Sequence, residues 1–168
     1  MEPDRWDRLA ESLWSGVDEV VDDELVRAVA EAETAQVTLA HRLRVSDDVV
    51  IQAGDLSLAG TVEKVGPEAV VIGNPEWTWL VPLSSITAVE GLASALAWES
   101  GGVADRLGIA SMLRSLVGQL AHVHLAGGRR VIGALSSVGA DHIDIAVEAP
   151  GALISVSTHA ITAVQVVR

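Results

Sequence analysis

Apolar residues at Trp6, Leu9, Ala10, Leu13, Trp14 and Val17 fall in steps of three and four, which predicts an amphipathic helix early in the chain. Gly16 weakens that stripe and predicts a break over residues 15–18. A second helix is predicted over residues 18–43. There Val21, Leu25, Ala28, Ala32, Ala35 and Leu39 make a seam of alternating fours and threes. Asp22, Asp23 and Glu24 suit the positive end of that helix dipole, and Arg42 and Arg44 suit its negative end. From residue 49 the period drops to two. Short runs at 49–51, 56–62, 69–72, 77–81 and 86–89 are punctuated by Gly54-Asp55 and Gly66-Pro67-Glu68, and predict about five strands. A linker over 91–102 leads to a helix predicted over 105–120, with Ile109, Met112, Leu113, Leu116 and Leu120 on one face. A second strand set follows, with turns at Gly127-Gly128 and Gly139-Ala140-Asp141.

The two strand sets share one pattern. Gly54, Gly60, Val65, Gly66, Val70 and Ile72 recur 73 positions later as Gly127, Gly133, Val138, Gly139, Ile143 and Ile145. Ile86-Thr87-Ala88-Val89 recurs 75 positions later as Ile161-Thr162-Ala163-Val164. A fixed offset with one small insertion marks duplication of a folded unit. Recurring glycines mean recurring turns or close backbone approaches. The expected organisation is a helical arm at 1–45, a first β unit at 46–91, a linker and helix at 92–120, and a second β unit at 121–168.

Composition narrows the function classes. The chain of 168 residues has no Cys, and five Trp are its entire aromatic content. The absence of disulfides and thiolates suits a cytoplasmic protein. No apolar run is long enough for a membrane span, and the acidic opening does not read as a secretory signal. Net charge is −12. Residues 1–50 carry thirteen acids against five Arg, and residues 51–168 carry ten acids against six Lys and Arg. Such a field repels nucleic acid, so RNA is disfavoured as a partner. The acid-rich stretch over 18–33 reads better as a solvated helix face than as a site for a basic partner.

The second repeat resembles the Sm-like small barrels, and the bacterial Hfq branch in particular. The resemblance lies in His122-Val123-His124-Leu125-Ala126-Gly127-Gly128, in Val131-Ile132-Gly133-Ala134-Leu135, and in Val156-Ser157-Thr158-His159-Ala160-Ile161-Thr162-Ala163-Val164. The last segment is similar to the Hfq signature Tyr-Lys-His-Ala-Ile-Ser-Thr-Val. The first repeat carries a weaker version in Val81-Pro82-Leu83-Ser84-Ser85-Ile86-Thr87-Ala88-Val89. The opening Arg5-Trp6-Asp7-Arg8-Leu9 also resembles an actinobacterial group sometimes labelled Fis-type transcriptional regulators. The C-terminal third nevertheless reads as strands, with no DNA-binding helix-turn-helix. The resemblance implies a mainly β fold with α: two tandem five-stranded Sm-like or SH3-like barrels, an N-terminal helical arm, and a helix between the barrels. Of the uridine-site residues only the His carries over, onto His159; Thr158 stands at the Lys position and Ser157 at the Tyr position. The stacking ring that contributes on the order of 1–3 kcal/mol per base is absent.

Several residues are candidates for chemistry. His159 and Thr158 are the remnant of a ligand or RNA site, against a plain turn. Arg129 and Arg130 at a hairpin tip are candidate phosphate contacts, against a solvated turn. Trp77 and Trp79 share a strand face and, with Trp6 and Trp14 on the first helix, are candidate protein-interaction residues, against packing roles. His122 and His124, with His142 and Asp144, are weighed as metal ligands and set aside as the polar face of strands. No catalytic pairing, P-loop or dinucleotide motif is present, so no enzyme activity, cofactor or metal is expected. The expected function is a non-enzymatic binding and assembly module of two Sm-like barrels, acting in regulation through protein contacts or self-association. The alternative is a degenerate Hfq-like RNA-binding post-transcriptional regulator.

Overall fold

The computed structural model describes residues 27, 37–93, 108–148 and 151–167. The chain divides into two compact units, Met1–Val37 and Thr38–Arg168, and the fold described here belongs to the second. Trp6, Trp14 and the first helix lie outside the described residues. The helix expected over 18–43 does not run through. Val37 and Thr38 are not helical, and Thr38 is extended (φ −84°, ψ 160°) and caps a new helix, α1 (Leu39–Arg44). Its hydroxyl accepts a hydrogen bond from the His41 N–H at 3.3 Å, satisfying one orphan donor of the first turn.

Ten strands follow, and the first five match the expected runs to within a residue or two at most ends. They are β1 (Asp48–Ala53), β2 (Leu56–Val65), β3 (Ala69–Gly73), β4 (Trp77–Pro82), β5 (Ile86–Glu90), β6 (Leu120–Leu125), β7 (Arg130–Val138), β8 (His142–Ala146), β9 (Leu153–Ser157) and β10 (Ile161–Val167). A short helix α2 (Ile109–Arg114) precedes β6. It is shorter than the helix expected over 105–120, because Gly118 donates to the Leu135 carbonyl and Leu135 to that of Gln119, which draws the chain into the sheet. Among the described residues no helix is long and apolar enough to cross a membrane.

The expectation of two closed barrels is corrected by the strand order. All ten strands form one antiparallel sheet in the order β5-β1-β2-β3-β4-β10-β6-β7-β8-β9. Within the first five, β4 and β5 do not pair with each other, so that set does not close. The groups of β4 that would meet β5 meet β10 instead, with Leu80 opposite Val164 and Trp79 opposite Gln165. The described fold is thus a single ten-stranded sheet with two short helices.

The sheet bends at matching places in the two repeats. The β2–β3 ladder slips between Val62 and Lys64, and the β7–β8 ladder slips between Leu135 and Ser137, 73 positions on. Such bulges curl a sheet around its own apolar face. Two cores result. Leu43, Ile51, Val70, Ile72 and Val81 belong to the first, and Leu113, Leu135, Ile143, Ile145 and Val164 to the second. The repeated glycines mark crowding at the bends. A Cβ on Gly60 would lie 2.8 Å from the Gly73 carbonyl oxygen, and one on Gly133 would run into the Ala146 carbonyl. The repeats are also stitched to each other. The Glu68 carboxylate, from the first, accepts a 2.8 Å bond from the Ile109 N–H at the start of α2. The Ser85 hydroxyl lies 2.8 Å from the carbonyl oxygens of both Pro82 and Thr162.

Gly133→Ala should destabilise the fold by about 1–3 kcal/mol, the usual cost of overpacking against backbone. Urea melts would show it as a lowered midpoint; an unchanged midpoint would mean the bend has slack that the close approach denies.

Candidate protein interface at the sheet junction and edges

Trp77 and Trp79 come from alternate positions of β4 and lean over β10 toward β6. The Trp77 ring centroid is 6.2 Å from His122, and that of Trp79 is 5.5 Å from His124, both tilted by about 45°. All four side chains are half-buried. The two Trp therefore sit at the seam between the repeats, with Trp79 packed on the first core. Sequence reading treated the Trp and the His as separate candidates. Only the adjacency of β4, β10 and β6, three strands far apart in the chain, brings them together.

The histidines differ in chemistry. Burial, then the nearby charges of Arg130 and His122, hold His124 below the ordinary imidazole range, against an opposing pull from Asp55. Its Nε2 is buried and makes no hydrogen bond among the described residues, consistent with a neutral ring. His142 is exposed. Its Nδ1 sits 2.9 Å from Asp141 Oδ1, and this bond, followed by the nearby Asp144 and Asp141 charges, raises its pKa. The Asp144 carboxylate accepts 2.6 Å bonds from the Ser137 and Ser155 hydroxyls, which lower its pKa.

The remaining candidates fall at one end of the second repeat. Thr158 spends its N–H and hydroxyl on the Asp141 carbonyl, at 2.8 and 3.0 Å. His159 is exposed in the short 3-10 turn Thr158–Ala160. Arg129 is exposed in the β6–β7 turn, which is tied to that 3-10 turn by the Ala126 N–H on the Ala160 carbonyl. Arg130 opens β7 opposite His124. Among the described residues no group of three His, Asp or Glu is arranged to hold a metal ion. His122 and His124 lie on β6, two strands away from His142 and Asp144 on β8.

The two outer edges of the sheet are unlike. β5 ends at Glu90, and the chain then turns at Gly91 (φ +84°) toward the link between α1 and β1, where the Ala93 N–H donates to Ser46 Oγ at 3.0 Å. A charge and a turn blunt that edge. β9 pairs with β8 along its whole length without a bulge, contains no charged residue or proline, and has Leu153 at 59% exposure. Sequence reasoning missed this edge. The signal was present, since position 153 onward is the repeat counterpart of β4, yet nothing local tells a covered strand from an open one.

Titration of the imidazole C–H resonances by NMR should place His124 below about 6.5 and His142 above it. The consequences for stability have opposite signs. Protonation favours the unfolded chain at His124, so its contribution is lost as pH falls from about 6.5 through its lowered folded pKa. The contribution of His142 is complete below about 6.5 and is lost as pH rises through its raised folded pKa. His124→Gln should flatten the acid side of the stability profile; a profile that keeps its slope would contradict the assignment.

The chain matches no protein-family model, and a search of the curated proteins finds no relative. The resemblance to Sm-like and Hfq-like barrels, and to the actinobacterial group, is therefore corrected along with the barrel closure on which it depended. The regulatory module of two barrels and its RNA-binding alternative fall with it. What stands is a mixed α/β domain that, among its described residues, has no metal-holding cluster.

Proposed function

We propose that this chain is a non-enzymatic, cytoplasmic protein that works by self-association, adding one sheet to another edge to edge. The observation that carries the reading is the junction inside the chain. There β4 takes β10 as an antiparallel neighbour through the rungs Val164–Leu80 to Val167–Trp77. β9 is the repeat counterpart of β4 and has β8 on one side only among the described strands. An uncharged, regular strand with a free edge is a template for another strand. The cytoplasmic placement rests on the cysteine-free composition.

Sedimentation equilibrium should give a mass above that of one 17.5 kDa chain at micromolar concentration. Because each copy carries −12, association should strengthen as salt screens the repulsion. A single-chain mass at every salt concentration would sink the proposal. Weakening with salt would point instead to attraction between opposite charges.

A further inference from the structure

We propose that the self-association rests on one contact: β9 pairs antiparallel with β9 of a second copy about a two-fold axis, with Ser155 facing Ser155. This specifies the edge pairing proposed above and depends on it. The phase of the β8–β9 ladder sets the register. The Val147 N–H donates to the Ala152 carbonyl at 3.2 Å, and the Thr158 N–H to the Asp141 carbonyl at 2.8 Å. Hydrogen-bonded and non-bonded pairs alternate along an antiparallel ladder. Ile154 and Val156 therefore exchange bonds with Ile145 and Ile143, while Leu153, Ser155 and Ser157 turn their N–H and C=O groups away from β8. Those outward groups make no backbone bond among the described residues.

A second β9 laid antiparallel with Ser155 opposite itself brings Leu153 opposite Ser157. Every outward N–H then meets an outward C=O. A slip of one residue sets outward groups against inward ones, and a slip of two abandons a rung. The same register keeps Ile154 and Val156 of both copies on the core face and Leu153, Ser155 and Ser157 on the other.

The chain contains its own precedent. The Trp77 carbonyl accepts from Asn74 and the Leu83 N–H donates to Glu68, so Thr78 and Leu80 of β4 point outward in the same phase. They face Val166 and Val164 of β10. Head-to-tail copying of that junction would require β5 to act as β10 does. By the 75-residue offset, β10 residues 164–167 correspond to 89–92, and β5 supplies only Val89 and Glu90 before the Gly91 turn. Among the described strands that leaves β9 as its own best match. A two-fold contact also closes on itself, so it yields a dimer rather than a filament.

The chain lacks Cys, so Ser155→Cys would place a single thiol beside the axis. Opposed Cα atoms in a hydrogen-bonded antiparallel pair are about 5.5 Å apart, within disulfide reach. Mild oxidation should link S155C into a covalent dimer and leave S137C, on β7, unlinked. Ser157→Pro is a second and independent probe. Ser157 (φ −63°, ψ 133°) has the conformation of its counterpart Pro82 (φ −59°, ψ 133°), so proline should fit the fold. It removes an outward N–H from each copy and should weaken the dimer by about tenfold or more. A linked S155C dimer that S157P dissociates supports the proposal. Larger assemblies without an S155C link would overturn this pairing and leave self-association standing. A monomer with an unlinked S155C would overturn both.

Discussion

The ladder between β4 and β10 carries the rest of the architecture. Backbone donors and acceptors inside a sheet must find partners, and those of β4 find them in the other repeat. The central parts of the two strands then have both faces covered. Leu80, Val164 and Val166 look into the second core, while Val81 and Ala163 look into the first. Each core therefore takes part of its lining from the other half of the duplication. The Glu68 cap on α2 and the Ser85 contact with Thr162 reinforce the same seam with polar bonds.

From that junction the two ends of the sheet follow unequally. A duplicated unit produces one covered and one free example of each edge type, and selection can treat the free ones separately. At the β5 end the ladder with β1 slips between Gln52 and Ala53, the strand bears Glu90, and the chain leaves the sheet at Gly91 and returns to Ser46. At the β9 end the strand is regular and uncharged, and its last residue is Ser157 where β4 has Pro82. Proline at that position of β4 costs nothing, because the β4–β10 pairing stops at Leu80. Serine at the corresponding position of β9 retains a donor.

The histidines show how position sets chemistry in residues that look alike in sequence. His122 and His124 were legible as neighbours on one strand face, but not as partners of Trp77 and Trp79. His142 was legible as a possible ligand, yet its near neighbour Asp141 holds its ring, and Asp144 is occupied by two serine hydroxyls. A cluster of ligating residue types becomes a metal site only if their lone pairs converge, and that depends on the order of strands in space.

Much of the local structure was written in the sequence. Alternation set the strand positions, because side chains in a strand point to opposite faces in turn. The 73-residue offset announced the repeated bends, because Gly60 and Gly133 lie where a Cβ would strike the facing backbone. The tertiary structure decided which strand edges meet. Alternation reports which face of a strand is buried and is silent about its edges, whose groups are the same backbone N–H and C=O in every residue. A set of five strands that could have closed on itself and a set that opens to accept a strand from its twin read alike along the chain. Only the contact between β4 and β10 separates them, and that contact links residues more than 80 positions apart.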